Sequence, residues 1–377
     1  MSDIQDRHDS GGSGAGCGCL AVALLLAVVA VLLGRPFLTD DGDGGAQAAP
    51  EESVVATPTS ERPRSKKPSG RRPGVVNIFT EQGLRGVRAA GTGIVVDPSG
   101  LVLTNNHVIQ GATEIEGTDT DDRRTYPAQV LGYQKSGDIA LIRLSGASGL
   151  KTAKFAEKWE VRLGDVVTAV GNAGGKGGTP SVVTGKVTAL DRQITATDQS
   201  DGSSERLTGL IETNAPIKPG DSGGPLLNTS GQVIGMNTAA SAGFDLEKKG
   251  ASRGFAIPSA KALEIVRQIQ RGEASDTVHI GRTALLGVQV RQPTTPSGGR
   301  AGGAYIADLI PGTPAEQAGL RARTTIVALD DEPVDSPGSL TDMLLRHHPG
   351  DTVRITWTNA AGERRTTPVT LGDGPPQ

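Results

Sequence analysis

A series of short apolar segments, separated at close intervals by Gly, Pro and Asp, runs through the chain from residue 74 onward. Short apolar runs bounded by turn-forming residues are typical of antiparallel β-strands, which pack as sandwiches or barrels. Aromatic residues make up only 3% of the 377 residues, so the cores are expected to consist of Val, Ile, Leu and Ala. The pattern excludes a long helical or coiled-coil protein. The segments lie at 93–97, 101–104, 128–131, 139–144, 166–170, 181–190, 207–213 and 232–237.

A helix is expected to close this β-rich domain, which spans residues 74–272. Ser259 can cap the helix and Gly272 can end it. Its apolar face is formed by Ala262, Leu263, Val266 and Ile269. A second unit at 281–372 has the size of a small β module, with two short helices near 315–319 and 339–346. Its strand-like runs lie at 286–290, 304–306, 325–329, 352–357 and 366–371.

The region before residue 74 differs in composition from both units. Residues 1–16 form an N-terminal tail, and residues 17–34 contain an uncharged apolar block long enough for a transmembrane helix. A small-residue site at 46–48 leaves a cleaved signal peptide as the alternative. Residues 35–73 are a disordered linker rich in small and polar residues. We expect a single-pass anchor in the cell membrane with both domains extracytoplasmic, because long downstream domains usually translocate.

Charge and cysteine content exclude several classes of function. The chain carries 38 basic and 41 acidic residues, so nothing global favours a nucleic-acid partner. Both cysteines, Cys17 and Cys19, precede the folded region, which excludes cysteine catalysis and thiolate metal sites there. His347 and His348 are adjacent, but consecutive helix residues point about 100° apart and no third ligand is near in sequence. We predict no metal and no cofactor.

Three segments each offer one member of an acyl-transfer site. They are LVLTNNHVIQG with His107, GDIALIRL with Asp138, and PGDSGGPL with Ser222. Peptide hydrolysis needs a nucleophile, a base held in one tautomer, and donors for the oxyanion. Ser222 would attack the carbonyl, His107 would take its proton, and Asp138 would orient the imidazole. Each segment alone is weak evidence, but all three in one β domain favour a serine protease.

The glycines beside Ser222 predict where the oxyanion is bound. A tight loop that points several N–H groups into one hollow needs backbone freedom that larger residues lack. We predict that the oxyanion hole is formed by Gly220, Asp221 and Ser222.

The motifs between residues 74 and 372 closely resemble the HtrA/Deg serine proteases, a branch of the chymotrypsin-like double β-barrel enzymes. The matching segments are TNNHVI (104–109), GDIALIRL (137–144), AVGNAGG (169–175), TNAPIKPGDSGGPLLN (213–228), GQVIGMNT (231–238) and GFAIP (254–258). The resemblance implies a mainly β protease domain with the triad His107, Asp138 and Ser222. It also implies a homotrimer that cuts unfolded, damaged or exported proteins in protein quality control and the stress response.

Two positions beside the nucleophile depart from many members of that family. Lys218 and Asp221 stand where many members have Asn, and Asp221 is the residue of the digestive relatives.

A small apolar primary pocket is predicted from the residues around the nucleophile. Trypsin-like cleavage needs a carboxylate six positions before the nucleophile, but that position is Pro216 and the next is Ile217. We predict that the other wall is formed by Asn237, Thr238 and Ala239.

The C-terminal unit resembles a single PDZ domain. Leu285, Leu286, Gly287 and Val288 match the loop that binds a terminal carboxylate, and residues 313–320 match the short helix. The resemblance implies that C-terminal peptides bind here, whereas a packing module without a ligand is the alternative. Arg323-Thr324 replaces the usual Gly-Asp turn, and Asp331 replaces a common turn glycine.

A second class of function remains open at this point. The PDZ domain could act as a peptide-binding chaperone or stress sensor, with the protease fold as a latent scaffold. No triad residue is replaced, which argues against permanent inactivity. Three loops could still gate the enzyme, at 114–126, 192–206 and 216–222.

Overall fold

The computed structural model describes residues 74–83, 86–157, 160–197, 204–238, 253–294, 299, 301–359 and 361–377. The predicted tail, membrane anchor and linker, and also Ala239, lie outside the described residues. Within the described ranges, no helix is long and apolar enough to cross a membrane.

Six strands and one short helix form the first barrel. The strands are β1 (Val75–Gln82), β2 (Val87–Asp97), β3 (Leu101–Thr104), β4 (Glu114–Asp119), β5 (Thr125–Gln134) and β6 (Ile139–Leu144). Helix α1 (Asn106–Ile109) follows β3 directly. The strands pair in the order β5-β4-β1-β2-β3-β6, and a further pairing of β5 with β6 closes the ring. Small apolar side chains fill it, with Ile78, Val102 and Ile142 fully buried.

A second closed barrel follows along the chain. Its strands are β7 (Val166–Gly171), β8 (Ser181–Thr197), β9 (Ser204–Thr213), β10 (Pro225–Leu227), β11 (Val233–Thr238) and β12 (Gly254–Pro258). They pair in the ring β10-β11-β12-β9-β8-β7, and every pair is antiparallel. The predicted double β-barrel is therefore confirmed. The turns that enter and leave the strands at the interface of the two barrels carry His107, Asp138 and Ser222.

Helix α2 (Ser259–Gln270) closes the second barrel, as expected. The predicted cap is wrong, because Ser259 is the first helical residue and no side chain caps the helix. Its buried face also includes Ile265, whereas Leu263 is only half-buried.

The C-terminal unit is a small antiparallel module. Its elements are β13 (His279–Ile280), β14 (Thr283–Leu285), β15 (Val288–Arg291), β16 (Ala304–Leu309), α3 (Pro314–Gln317), β17 (Thr325–Leu329), β18 (Glu332–Pro333), α4 (Pro337–Leu344), β19 (Thr352–Thr358), β20 (Arg364–Thr370) and β21 (Gly372–Gly374). The main sheet runs β15-β16-β17-β19-β20, and a capping box between Ser336 and Ser339 starts α4.

Two strands lie outside the predicted domain limits. β13 falls in the interval between the predicted domains and pairs with β5 of the first barrel. β21 extends past residue 372 and pairs with β14. The connection between the two domains is therefore part of a sheet, and the sequence after β20 continues as ordered structure.

Candidate active site

His107 and Asp138 are brought together by the pairing of β3 with β6. His107 lies in α1 directly after β3, and Asp138 follows a 3-10 turn and directly precedes β6. The Nδ1 atom of His107 is 2.9 Å from Asp138 Oδ1 and 3.0 Å from Oδ2. The backbone N–H of His107 also donates to Oδ1, at 3.0 Å. These contacts hold Nδ1–H toward the carboxylate, so that Nε2 is the nitrogen left to act as a base.

Asp138 is held in an unusual backbone conformation. Its φ of +53° is left-handed, a region that Asp tolerates better than most residues. Asn105, fully buried, donates from Nδ2 to Asp138 O at 2.9 Å and so ties the Asp138 turn to the His107 helix.

Thr238 is a functional contact that sequence reasoning assigned elsewhere. Its hydroxyl donates to Asp138 Oδ2 at 2.9 Å, and it is only 2% exposed. Because Asp138 is itself 4% exposed, its carboxylate depends on protein donors instead of water. The Thr238 side chain therefore points to Asp138, and the pocket wall predicted at this residue stays a prediction.

The loop that carries Ser222 is hydrogen-bonded to β11, the strand that ends at Thr238. Gly223 N donates to Asn237 O at 2.8 Å, and Asn237 N donates to Gly224 O at 2.7 Å. Ser222 O accepts from Thr92 N at 2.8 Å, which ties the loop to the first barrel. A hydrogen-bonded path thus runs from the nucleophile loop through β11 to Asp138 and His107.

Glycine is required at position 220 of this loop. Gly220 has a φ of +95°, and a Cβ there would clash with Asn172 O. Gly220 O accepts from the Thr92 hydroxyl at 2.7 Å, while Pro219 O accepts from Gly174 N at 2.8 Å. Because a trans peptide points N–H opposite to C=O, this second bond directs Gly220 N–H away from Gly174.

One N–H of the predicted oxyanion hole makes a hydrogen bond inside the loop. The N–H of Asp221 donates to Lys218 O at 3.0 Å. The assignment of Gly220 and Ser222 as oxyanion donors stays a prediction.

The buried Asp221 side chain stabilises the loop through two hydrogen bonds. It is 1% exposed, and it accepts from Lys218 N and from the Ser181 hydroxyl, each at 2.9 Å. Burial raises the pKa of Asp221 above its usual range, and the hydrogen bonds from Lys218 and Ser181 oppose that rise.

The remaining residues predicted for the primary pocket fall into two groups. Pro216 is exposed, and Ile217 is half-buried over Gly254, where a Cβ would lie 2.6 Å from Ile217 Cδ1. Asn237 is fully buried and donates from Nδ2 to Val170 O and Pro225 O, each at 3.3 Å. The Asn237 side chain thus joins strands inside the second barrel, and the pocket wall predicted at this residue stays a prediction.

A second candidate site lies on the C-terminal unit. The loop Leu285–Val288, on which the carboxylate-binding prediction rests, lines a cavity of about 90 Å³ together with Leu340 and Leu344 of α4. Two carbonyls of the loop accept backbone hydrogen bonds: Ala315 N donates to Leu286 O at 2.9 Å and Ile310 N donates to Gly287 O at 3.0 Å. The opposite side of the loop faces the cavity.

The altered Arg323-Thr324 turn still forms. Arg323 adopts a left-handed φ of +67° and donates from its N–H to Ile306 O at 2.8 Å. Thr324 closes the turn by donating to Arg321 O at 2.7 Å.

The histidines outside the triad make other contacts. His348 stacks on His279 with ring centroids 5.4 Å apart, and His347 Nδ1 lies 3.7 Å from Asp351 Oδ2. In the part of the chain that the structure describes, no group of three or more His, Cys, Asp or Glu residues is arranged to hold a metal ion.

Comparison with known proteins identifies both domains. A trypsin-like peptidase domain model matches residues 91–236, and a PDZ domain model matches residues 284–370. The Do-like serine protease HtrA of Bacillus subtilis is 31% identical over 278 residues, 71% of this chain and 60% of its own length. Serine protease PepD of Mycobacterium tuberculosis is 33% identical over 369 residues, 92% of this chain and 76% of its own length. This chain belongs to the HtrA/Deg family of serine proteases.

The HtrA protease described here is a serine endopeptidase with a trypsin-like domain and one PDZ domain. Among solved structures, the serine endoprotease from Yersinia pestis is 25% identical, with a TM-score of 0.43 over 80% of this chain and 94% of that one. The chain spans less than two thirds of the length of the B. subtilis relative.

Two contacts near the candidate site were not expected from the sequence. Thr92 is fully buried, and its hydroxyl donates to Gly220 O while accepting from Asn172 N at 2.9 Å. Thr238 was expected at the pocket, and its hydroxyl holds the carboxylate of Asp138. The one available signal was a polar residue at the edge of an apolar strand, which is common in any β protein.

Proposed function

We propose that this HtrA protease is a membrane-tethered, extracytoplasmic enzyme whose nucleophile is Ser222, whose base is His107 and whose orienting carboxylate is Asp138. The observation that carries the assignment is the placement of Asp138. It contacts His107 on one side and Thr238, next to the nucleophile loop, on the other.

The proposed reaction proceeds through an acyl-enzyme. Ser222 Oγ attacks the scissile carbonyl carbon as His107 Nε2 accepts its proton, and the imidazolium then protonates the leaving amine. Water hydrolyses the ester with the same base. The N–H groups of Gly220 and Ser222 bind the oxyanion, where losing one donor typically costs about 10²–10³ in rate. No cofactor is needed, because side chains and backbone supply every group.

Unfolded, damaged or exported proteins are the proposed substrates. The His107 side chain is 41% exposed, so the site opens at the surface and accepts an extended segment of chain. Folded proteins present few such segments. A small aliphatic residue before the cut is favoured because Pro216 and Ile217 place no carboxylate at the pocket position and Ile217 lies over Gly254.

The PDZ groove is proposed to bind C-terminal peptides. β15 is the first strand of its sheet and pairs only with β16 among the described strands, so its other edge is available for an added strand. Backbone N–H groups of Leu285–Val288 would hold the peptide carboxylate at the end of the groove.

The proposed oligomeric state and cellular location of the protein are based on its sequence. The apolar block at 17–34 supports a single membrane anchor, and the family resemblance supports a homotrimer acting in protein quality control and stress response. Light scattering on the purified full chain measures the oligomer directly, and protease protection in membrane vesicles measures the orientation.

Covalent labelling tests the proposed triad. The full chain is treated with a fluorophosphonate and with unfolded casein, alongside the variants Ser222→Ala and Ser230→Ala, the second at an exposed serine. We expect labelling and casein cleavage in the wild type and in Ser230→Ala, and neither in Ser222→Ala. Retained cleavage by Ser222→Ala would overturn the assignment.

The same assay tests the alternative of a peptide-binding chaperone on a latent protease scaffold. An intact wild-type chain that binds C-terminal peptides but is never labelled, with or without those peptides, favours the scaffold. Labelling in either condition favours the enzyme.

A further inference from the structure

Thr92, a residue of strand β2 in the first barrel, holds the nucleophile loop of the second barrel at two points. Its hydroxyl donates to Gly220 O at 2.7 Å, and its backbone N–H donates to Ser222 O at 2.8 Å. Thr92 is fully buried, so water does not compete for these bonds. Gly220 and Ser222, the two residues whose carbonyls are held, are also the residues whose N–H groups are the proposed oxyanion donors.

The Thr92 hydroxyl also contacts a second segment that supports the loop. It accepts from Asn172 N at 2.9 Å, and the same N–H lies 3.3 Å from Gly220 O. Asn172 begins a short 3-10 turn, within which Gly174 N donates to Pro219 O at 2.8 Å. The hydroxyl therefore holds Gly220 O directly, and it anchors the start of the turn that holds Pro219 O.

These contacts fix the peptide planes before and after Gly220. The Pro219 carbonyl belongs to the peptide that carries the Gly220 N–H, and the Gly220 carbonyl belongs to the next peptide. Because a trans peptide is planar, a bond to each C=O sets the direction of the N–H in the same plane. Gly220, with a φ of +95°, restricts its own backbone less than any other residue type does, so contacts from outside the loop have to select its conformation.

Thr92 O connects the loop to the strand that leads to His107. A Cβ at Gly223 would lie 2.0 Å from Thr92 O, so only glycine allows this close approach. Thr92 O accepts from the Thr104 hydroxyl at 2.7 Å, and Thr104 is the last residue of β3. Thr92 thus lies between the strand that precedes His107 and the loop that carries Ser222.

We propose that Thr92 is a positioning residue of the oxyanion hole, whose hydroxyl directs the Gly220 N–H by holding the carbonyls on both sides of it. The proposal rests on the triad and the oxyanion donors proposed above. Thr92 acts through the loop and not on the substrate. A hydroxyl can donate to Gly220 O and accept from Asn172 N at the same time, whereas a methyl group of the same size can do neither.

The variants Thr92→Val and Thr92→Ser of the full chain, purified in mild detergent, test the proposal. Valine keeps the shape of the side chain and removes the hydroxyl, whereas serine keeps the hydroxyl. The matched control is Thr80→Val in the neighbouring strand β1. Thr80 is 2% exposed, and its hydroxyl has no hydrogen-bond partner among the described residues. The control therefore removes a buried hydroxyl from the same barrel without removing a hydrogen bond.

The readouts separate the oxyanion hole from substrate binding. They are kcat and KM on a short peptide, and the inhibition constant of a boronic acid with the same peptide sequence. A boronic acid forms a tetrahedral adduct with the nucleophilic serine, and an oxygen of that adduct occupies the oxyanion hole. Active sites are counted by fluorophosphonate labelling of Ser222, so that each constant refers to folded and competent enzyme.

Thr92→Val should lower kcat about tenfold and weaken boronate inhibition about tenfold, with KM within about twofold. The loss is smaller than the factor of about 10²–10³ for a missing donor, because the Gly220 N–H is displaced and not removed. Asn172 N also remains close enough to donate to Gly220 O. Thr92→Ser should stay within about threefold of the wild type in both constants, and Thr80→Val should match the wild type.

Two results would overturn the proposal. One is a Thr92→Val variant with the kcat and boronate affinity of the wild type. The other is a rise in KM as large as the rise in the boronate inhibition constant, since a general distortion of the site weakens both alike. A wild-type chain that is never labelled would overturn the triad itself, so the two failures are distinguishable.

Thr92→Cys keeps the test decisive for a valine variant that does not fold. The thiol is a weak donor, so the kcat and boronate affinity of Thr92→Cys should lie below those of Thr92→Ser. Equal values for the Cys and Ser variants would overturn the role of the hydroxyl.

Discussion

The Thr238 hydroxyl donates a 2.9 Å hydrogen bond to Asp138 Oδ2. The two residues belong to different barrels, since Asp138 joins β5 to β6 and Thr238 ends β11. The orientation of His107 therefore depends on how the two barrels dock, because the carboxylate that holds the imidazole is itself held from the second barrel.

Thr238→Val should lower kcat by about ten- to a hundredfold with little change in KM. The variant keeps the shape of the side chain but leaves one oxygen of the buried Asp138 without that donor, and hydrogen bonds to charged groups contribute about 1.5–3 kcal/mol. Steady-state kinetics on a short peptide measures the effect. Thr238→Ser keeps the hydroxyl and should retain most of the activity. Equal rates for the Val and Ser variants would contradict this role.

Gly220→Ala should reduce kcat by about 10²–10³. The added Cβ clashes with Asn172 O, so the peptide that carries a proposed oxyanion donor has to move. Gly272→Ala is a matched control, because Gly272 also has a positive φ, +68°, but has open space around its Cβ. The control should lose about 1–2 kcal/mol of stability and keep its activity. The prediction fails if both variants lose activity equally.

Asp221→Asn should change how stability depends on pH. Since burial raises the pKa of Asp221 in the folded protein, the folded state holds this proton more tightly than the unfolded chain does. Ionisation of Asp221 therefore lowers stability as pH rises from the unfolded pKa, about 4, through the higher folded pKa. The stability of the Asn variant relative to wild type should increase over that window and level off above it.

Urea denaturation at several pH values between 4 and 7 measures the Asp221 effect. Ser181→Ala keeps the charge but removes a donor to the carboxylate, so it should destabilise the protein more at pH 7 than at pH 4. If the difference in free energy of unfolding between Asp221→Asn and wild type is the same at every pH, the carboxyl group titrates alike in the folded and unfolded states.

Ile217→Ala should broaden the primary pocket toward larger apolar residues. Ile217 packs over Gly254, and shortening it opens space beside that glycine. Mass spectrometry of cleavage sites in unfolded proteins measures the preference, with Ile217→Val as the conservative control. A wild-type preference for Arg or Lys before the cut would be incompatible with an apolar pocket.

Much of the protease fold could be predicted because its signals are local. The apolar run at 139–144 coincides with β6, and that at 181–190 lies within β8. The helix α2 was also expected, although its cap at Ser259 was not correct, since propensity locates a helix better than it locates the first residue. The motifs around His107 and Ser222 identified the family for the same reason, as each is a short stretch with a recognisable pattern.

The contacts that the sequence did not predict join residues far apart along the chain. The Asn237 side chain joins strands inside the barrel, and the Thr238 side chain reaches Asp138, 100 positions away in sequence. Thr92 reaches Gly220 across 128 positions. Strand alternation tells which side chains share a face, but it does not tell what lies opposite that face.

The sequence by itself determined the β architecture, the family and the three triad candidates, because turn residues, strand patterns and short motifs act within a few residues of chain. Only the tertiary structure decided which donors hold Asp138, and that Gln377 contacts the His107 helix while lining the cavity beside the Leu285–Val288 loop. Those relations are distances between atoms far apart in sequence, and they are set by how barrels and domains pack.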